Sequence, residues 1–565
     1  MSVYGFTIIE KYNENSGFKF LQERRFKSKF DINYFFGYNY FPKFREDKVF
    51  EENKDYIVGL DGVVLNLTEL KNNYAISEVF LLLIHLYRKR KENLAIELKG
   101  NFNGFVFEKK TETLIFFNDK TASKPAFYSK VKDSYIISSS IKNIIKLKQQ
   151  YKCNSYLNIS ACYNMLTYGG MIEDQTIINN VKKINAGICL KIANDKVLFI
   201  KYFDFNNIEY SLNDKNRVIK QLDDCFKKAI ILEYNKDKEY NYRHLATLSG
   251  GLDSRLNVML ANKLGYKVDS FCFSQSNYLD EKIARKIAEN LKLNFQFVAL
   301  DNGDYLQDLV ENVDLNNGLQ HYLNAAHFNF ALKKINLEDS GLIHTGLVGG
   351  AVLGGFLTKG TYPNYYSNKI SHKFIDKTQN NRSIEKSYKN EEVFKLYQLI
   401  FNISNFGSYV VESNRSYLVS PFLDENFLIT ALSINPKLKK DQIYIDWLNK
   451  YHSYVTKYKW EKTSFKPNAK FKTELSRYTN KIRKEFLIFT NKINKLSMTP
   501  EDYWLKSNLK NQKFYKKTFN ERMDSFKNNK ELFKDLNLAY YNGNIEEKSA
   551  VLTILEIVNK FKLRI

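Results

Sequence analysis

Cysteine is scarce in this chain and badly placed for either of its usual structural tasks. The five cysteines in 565 residues (Cys153, Cys162, Cys189, Cys225, Cys272) are odd in number and lack Cys-x-x-Cys spacing, so neither a disulfide framework nor a zinc site follows. The N-terminus, Met1-Ser2-Val3-Tyr4-Gly5-Phe6, has no basic region followed by a long apolar core, which argues against a signal peptide. The longest apolar run, Val79 to Ile84 with its flanks, is far too short to span a bilayer. Seven prolines and 24 glycines build no Pro/Gly-rich linker, and no internal repeat is visible. A reduced, cytoplasmic enzyme is the expectation.

Acidic residues are also in deficit, 62 against 86 basic ones, for a formal charge of +24. Lysine is spread along the whole chain beside Asn, Ile and Tyr, which is a compositional bias and not a patch; a dedicated nucleic-acid surface is not expected. What the chain has in plenty is aromatic residues, 39 Tyr and 43 Phe. They exclude a disordered polymer, and the length allows two or three domains with full cores.

The chain is organised around Leu248-Ser249-Gly250-Gly251-Leu252-Asp253-Ser254. A buried strand, His244 to Leu248, precedes it, and a helix with an apolar face begins at Arg255. Strand, tight Ser/Gly turn and helix start form an anion site: glycines let backbone N–H groups close on a phosphate, and the helix N-terminus adds donors and a favourable dipole. Asp253 makes sense there as a hard oxygen ligand for magnesium bridging phosphates. This is not the Gly-x-x-x-x-Gly-Lys-Ser/Thr loop. It resembles the Ser-Gly-Gly-x-Asp-Ser pyrophosphate loop of ATP pyrophosphatases, which cleave ATP between its α and β phosphates.

Residues 1 to about 205 read as mostly strands, among them Tyr56–Leu60, Phe105–Phe107, Thr113–Phe117 and Tyr135–Ser138, separated by turns such as Asp61-Gly62. A helix around Ala75 to Lys89 puts Ile76, Val79, Phe80, Leu83 and Leu86 on one face. From about 215 strands and helices alternate, which implies a parallel sheet. Strands are expected at Val268–Phe273, Phe295–Val298 and Gly341–His344, with an N-capped helix over Asp280–Ala288. Residues 390 to 565 read as helical. Beyond Phe471 the tail is basic and amphipathic (Ile482, Phe486, Leu487, Phe489, Ile493), as in a packed helical extension.

Ahead of the loop, Leu98–Phe105, then Phe117-Asn118-Asp119-Lys120-Thr121-Ala122-Ser123-Lys124-Pro125-Ala126-Phe127-Tyr128, then Ile137-Ser138-Ser139-Ser140-Ile141-Lys142 resemble, in that order, the glutaminase-type domain of asparagine synthetases. Met165–Gly169 and Val181–Gly187 look like its closing stretch. The resemblance implies an α+β, Ntn-hydrolase-like αββα sandwich at 1–205. An α/β parallel-sheet synthetase domain, similar to adenine nucleotide α-hydrolases, would follow at 215–470, with a helical basic extension at 471–565. It covers most of residues 1–470; the wider group includes β-lactam synthetases and lasso-peptide cyclases.

The departures carry as much meaning as the matches. An active glutaminase of this class needs a cysteine after the initiator Met, with its own α-amine as base; position 2 is Ser2. The family's Asn-Gly-Glu-x-Tyr-Asn, which holds glutamine, stands here as Asp61-Gly62-Val63-Val64-Leu65-Asn66. A glutaminase fold without glutaminase activity is the expectation. In the second half, Thr345-Gly346 match the ATP-contacting pair of Ser-Gly-x-Gly-x-Asp-Glu and Gly354-Gly355 the downstream turn, but Gly350 stands where the second magnesium-binding Asp belongs. Asp253 alone would leave the ion held largely by water and triphosphate. Tyr417–Asp424 resembles the Val-Arg-x-Pro-Phe-Leu-Asp signature, and Trp460–Phe465 falls where the family has Arg-x-Lys-x-x-Phe. That assigns Lys462 to the α-phosphate and the leaving pyrophosphate, although a lysine in a lysine-rich helical region is by itself a solvated side chain. Leu248 and Phe273 are candidates to flank adenine or else plain core residues, and both readings stay open.

The resemblance implies an ATP- and Mg2+-dependent carbon–nitrogen ligase. A carboxylate becomes an acyl-adenylate with release of pyrophosphate, and ammonia or an amine expels AMP. Ser249, Gly250, Gly251, Leu252, Asp253 and Ser254 would hold the terminal phosphates. The partners implied are a small-molecule or peptide carboxylate and an amine or ammonia, with a homodimer as the assembly considered. Two alternatives are kept: a tRNA-modifying ATP pyrophosphatase, against which residues 98–187 count, and a non-catalytic ATP-binding scaffold, favoured by Ser2, Val63 and Gly350.

Overall fold

The computed structural model describes residues 4–11, 26–31, 33–357, 369–378, 384, 386–440, 442–467 and 497–565. Ser2 and the amphipathic positions between 471 and 496 lie outside the described residues.

Two six-stranded antiparallel sheets occupy the first part of the chain. One is ordered β10-β8-β9-β1-β3-β2: Lys182–Lys183, Phe127–Val131, Ser134–Ser138, Gly5–Glu10, Tyr34–Asn39 and Phe26–Asp31. The other is ordered β12-β11-β7-β6-β5-β4: Lys196–Lys201, Ile188–Ala193, Thr113–Asn118, Gly100–Glu108, Tyr56–Val64 and Val49–Glu52. Successive side chains of a strand point to opposite faces, which explains why β6 and β7 read as unbroken apolar runs. Phe105, Phe107, Leu114 and Phe116 meet Phe6 and Phe36 of the other sheet. Phe102, Val106, Ile115 and Phe117 face outward onto α1 (Leu67–Tyr74) and α2 (Val79–Arg90). The outer face of the first sheet is covered by α3 (Ile141–Gln150) and α4 (Ile159–Tyr168). The layering is helix, sheet, sheet, helix.

Two local expectations are corrected here. Asp61-Gly62 is not a turn but the middle of β5, paired with Asn103 and Phe102 of β6. Gly62 holds φ +139°, and a Cβ there would sit 2.1 Å from the Asn101 carbonyl; buried partners for Asp61 override the turn preference of Asp-Gly. The helix starts at Val79 rather than Ala75, because Ala75 caps α1 in the left-handed region, φ 53°.

The second part is a five-stranded parallel sheet ordered β15-β14-β13-β16-β17: Phe295–Ala299, Val268–Ser274, Arg243–Thr247, Ser340–His344 and Leu418–Val419. The helices α5 (Lys215–Glu239), α6 (Leu252–Lys263) and α7 (Leu279–Leu291) pack against it. Residues 390–565 are therefore not wholly helical, since β17 completes the sheet. The N-cap of α7 is Tyr278 without a side-chain bond; Asp280, expected to cap it, turns elsewhere. Helices at 501–507, 509–523, 530–542 and 545–561 share one core with α3 and α4, through Trp504, Tyr515, Phe519 and Leu552 against Ile144 and Met165. Among the described residues no helix is long and apolar enough to cross a membrane.

The antiparallel and parallel parts are joined by a seam in which Tyr4, Phe41, Phe44 and Val63 meet Leu342, Tyr417 and Val419. A buried Lys236–Asp47 pair at 2.8 Å and an Asn101 Nδ2 bond to the Leu418 carbonyl at 2.7 Å flank it.

Candidate functional site

The loop after β13 opens into a cavity of about 680 Å³ at the carboxyl ends of β13, β14 and β16, where parallel sheets place their ligand sites. Ser249, Gly251, Asp253 and Ser254 line it, with Thr345 and Gly346 opposite and Phe273 in the wall. The loop is tied to itself. Ser249 and Ser254 hydroxyls share a 2.8 Å bond, the Ser249 N–H donates to Ser254 Oγ at 3.1 Å, and the Gly251 N–H donates to Ser249 Oγ at 3.1 Å. The Gly250 N–H donates to Asp280 Oδ1 at 2.7 Å. Three of the loop's N–H groups, those of Ser249, Gly250 and Gly251, thus have protein partners here, and the Ser249 and Ser254 hydroxyls stand among the residues that line the cavity.

Backbone packing explains two of the glycines. A Cβ at Gly346 would come 2.1 Å from the Ser254 nitrogen, so the 345–346 turn rests directly on the first turn of α6. A Cβ at Gly250 would meet Glu461 Cβ at 2.8 Å, and the Glu461 N–H donates to the Gly250 carbonyl at 3.1 Å. The Thr345 hydroxyl donates to the Val419 carbonyl at 3.0 Å, fixing the turn against β17.

Asp253 is partly buried, and each of its oxygens accepts a bond: Oδ2 from the Gly350 N–H at 2.8 Å and Oδ1 from the Tyr444 hydroxyl at 2.7 Å. Burial raises its pKa above the ordinary carboxylate value, against the pull of these donors and of the Lys462 charge. A Cβ at Gly350 would lie 3.6 Å from Asp253 Oδ2. Position 350 is therefore a neighbour of Asp253, with no side chain to offer. Asp280 is pushed up to about 6 by burial and by the Glu461 carboxylate beside it. Three carboxylates, Asp253, Asp280 and Glu461, line this end of the cavity. A triphosphate there needs a cation between it and them. Lys462 stands exposed in the turn 461–463, its ammonium 5.6 Å from the Trp460 ring centre, and not on a helix as expected.

Both adenine candidates line the cavity. Leu248 is wholly buried and packs into the core cluster that also holds Leu252. Phe273 is half-buried in the cavity wall, 5.5 Å from the Phe328 ring and 5.8 Å from His327. Sequence reasoning missed Asp280, Tyr444, Glu461 and His327; burial holds the His327 imidazole neutral, pushed down to about 4. It also missed the fully buried Arg255, whose Nη2 donates to the carbonyls of Gly250 at 2.6 Å and Lys459 at 2.8 Å. An arginine inside an apolar helical run was the one available signal. The others come from contacts 30 or more residues away.

Around Asp61 the chain has built the opposite of a cavity. Lys124 Nζ lies 2.8 Å from Asp61 Oδ2 and also pairs with Glu412, and Tyr38 donates to Asp61 Oδ1 at 2.8 Å. All three charged side chains are buried. Burial would raise Asp61, but the Lys124 and Lys48 ammoniums outweigh it and hold the carboxyl below its ordinary value. Val63, two residues on, has no exposed surface and sits in the seam between the two parts.

Residues 46–203 match the model of the glutamine amidotransferase domain. The chain is 21% identical over 270 residues to asparagine synthetase (glutamine-hydrolyzing) 1 of Bacillus subtilis strain 168, covering 46% of this chain and 41% of that protein. It is 26% identical over 219 residues to a putative asparagine synthetase (glutamine-hydrolyzing) 2 of Methanocaldococcus jannaschii, 37% of this chain and 41% of that one. Part of the chain is thus similar to asparagine synthetases, and a part of it to a glutamine amidotransferase domain. The match spans about two fifths of these curated family members. Among solved structures it is similar to an allosteric regulatory enzyme of purine biosynthesis, at 11% identity and TM-score 0.24, over 52% of this chain and 75% of that one. It is also similar to the glutamine phosphoribosylpyrophosphate amidotransferase of B. subtilis, at 11% and 0.22, over 48% and 61%. The positions that resemble the glutamine-holding Asn and Glu of asparagine synthetases are Asp61 and Val63, one sealed in an ion-paired cluster and the other in an apolar seam.

Proposed function

We propose that the chain is an ATP-dependent carbon–nitrogen ligase that joins a carboxylate to adenylate and then to an amine or ammonia, without hydrolysing glutamine. It would consist of a glutaminase-like domain at 1–205, a synthetase domain at 215–470 and a helical extension. The observation that carries the reading is the open cavity under the 249–254 loop, beside a sealed Asp61.

Ser249 and Ser254 would bind the terminal phosphates through their hydroxyls, with Gly250, Gly251 and Leu252 shaping the turn and α6 directing its N-terminus at them. Thr345 and Gly346 form the opposite wall, Phe273 offers a ring face to the base, and Lys462 is a point cation for the α-phosphate and the departing pyrophosphate. Asp253 suits magnesium: burial raises its pKa although two hydrogen-bond donors and the Lys462 charge pull against it, and the three carboxylates of the cavity call for a divalent cation beside phosphate. The ion would neutralise phosphate charge as pyrophosphate leaves. Lacking a carboxylate at 350, the chain would hold it through Asp253, phosphate oxygens and water. The protein's share of the chemistry is positioning and charge neutralisation. The nitrogen would then arrive as ammonia or on the acceptor, from solvent.

One observation favours the scaffold reading instead: both Asp253 oxygens already accept bonds from Gly350 and Tyr444. The deciding experiment incubates the chain with Mg-ATP, a pool of carboxylic acids and a pool of amines, and separates AMP from ADP. Acid-dependent AMP and pyrophosphate support the ligase; ATP binding with neither product establishes the scaffold.

A further inference from the structure

A second cavity, of about 910 Å³, lies along another face of α7, formed by Leu279, Lys282, Ile283, Lys286 and Asn290 at helical spacing. Six lysines line it: Lys263 from the end of α6, Lys282 and Lys286 from α7, and Lys457, Lys459 and Lys466 from the segment that crosses above. All six are exposed, and none is ion-paired to a carboxylate of the described residues, whereas Arg285 on the next face of α7 pairs with Glu281 at 2.9 Å. No carboxylate lines the cavity among the described residues. Lysine is spread evenly along the sequence; it is the fold that gathers these six.

Two tyrosines stand among them. Tyr454 and Tyr458 are half-exposed, with the Lys263 ammonium 5.0 Å from the Tyr454 ring centre. Their hydroxyls are held, Tyr454 by His452 Nδ1 at 3.0 Å and Tyr458 by Asn290 Nδ2 at 2.9 Å, and both rings pack partly against the core, so they are fixed in the groove wall. A concave wall of one sign focuses field and attracts a polyanion. Lysine gives point charge without the planar fork that reads base edges. A basic groove with aromatic faces is the arrangement that binds single strands without sequence preference. An acidic peptide would use the lysines but has no need of the two rings.

We infer that this groove binds single-stranded nucleic acid, independently of the reaction at the 249–254 loop. The test is fluorescence anisotropy of the full chain with a labelled uridine dodecamer, over a salt series. Each phosphate contact contributes about −0.7 to the slope of log affinity against log salt, so four to five contacts predict a slope of about −3. Lys282→Glu with Lys286→Glu should weaken binding at least tenfold and flatten that slope, and Lys457→Glu with Lys459→Glu, on a separate element, should do the same. Tyr458→Leu should weaken the dodecamer while leaving its salt slope unchanged. The inference fails if the dodecamer binds without salt dependence or not at all, or if both charge reversals leave it unchanged. It fails equally if a glutamate dodecapeptide binds as tightly and competes, which would make the partner an acidic protein segment. Pyrophosphate release by the charge-reversed chains should stay at the parent level, so loss of this groove and loss of ligase chemistry are read separately.

Discussion

Asp61 and Asp253 are both carboxylates set into the protein, Asp61 within β5 and Asp253 in the first turn of α6, and both have a partner on each oxygen. At Asp61 one partner is a buried ammonium, and the carboxyl is held below its ordinary pKa. At Asp253 the partners are a backbone N–H and a phenol, and the carboxyl is held above it. The difference is whether the chain supplies its own counter-charge. A carboxylate neutralised from within is structural, because no free ion can compete with a covalently tethered one. A carboxylate bonded only to dipoles, with no ammonium in contact, keeps part of its charge unmet and remains available to a cation from solution.

The comparison can be broken first at Asp253. Asp253→Ala should lower Mg-ATP-dependent AMP formation by about 10²–10³-fold, the range for losing one preorganised electrostatic group; unchanged turnover would move the reaction away from this loop. On the other side, Lys124→Met should cost about 3–5 kcal/mol of stability by leaving Asp61 and Glu412 buried without a cation, read as a fall in denaturation midpoint. AMP formation should survive at low temperature, and a midpoint within error of the parent would mean that the cluster is not structural. Gly350→Asp should bring a second carboxylate beside Asp253, lowering the Mg2+ concentration for half-maximal activity by about tenfold while slightly destabilising the metal-free chain through like-charge repulsion.

A smaller effect is expected at Asp280. Because its folded pKa is about 6 against 3.8, the native state keeps a proton between those values that the unfolded chain has lost, so stability falls as pH rises through about 6. Asp280→Asn keeps an oxygen for the Gly250 N–H, so it should flatten the melting temperature between pH 4 and 7 and raise it by a few degrees at pH 7.5. A profile parallel to the parent would show Asp280 to be solvated. The smallest expected effect is none: glutamine should release no ammonia, with or without Ser2→Ala. Release that disappears with that substitution would restore a nucleophile to the N-terminus.

Much of this arrangement was legible in the chain. Continuous apolar runs such as Phe105–Phe107 and Leu114–Phe117 announced strands, and the Ser249–Ser254 stretch announced a strand, turn and helix. What local pattern misread was decided by distant partners. Asp61-Gly62 looked like a turn until Lys124 and Tyr38 gave Asp61 a place inside a strand. Asp280 looked like a cap, yet its oxygen goes to Gly250, 30 residues earlier. Glu461 could not be assigned, since nothing near it in sequence places it beside that glycine.

Val63 has a consequence for the history open to this chain. Returning an acidic side chain to that position would push a charge into a dry joint made by both parts of the molecule, and the damage would fall on assembly before any amidase function could be gained. Under the proposed function, gaining glutamine use by single steps would thus pass through a poorly folding intermediate.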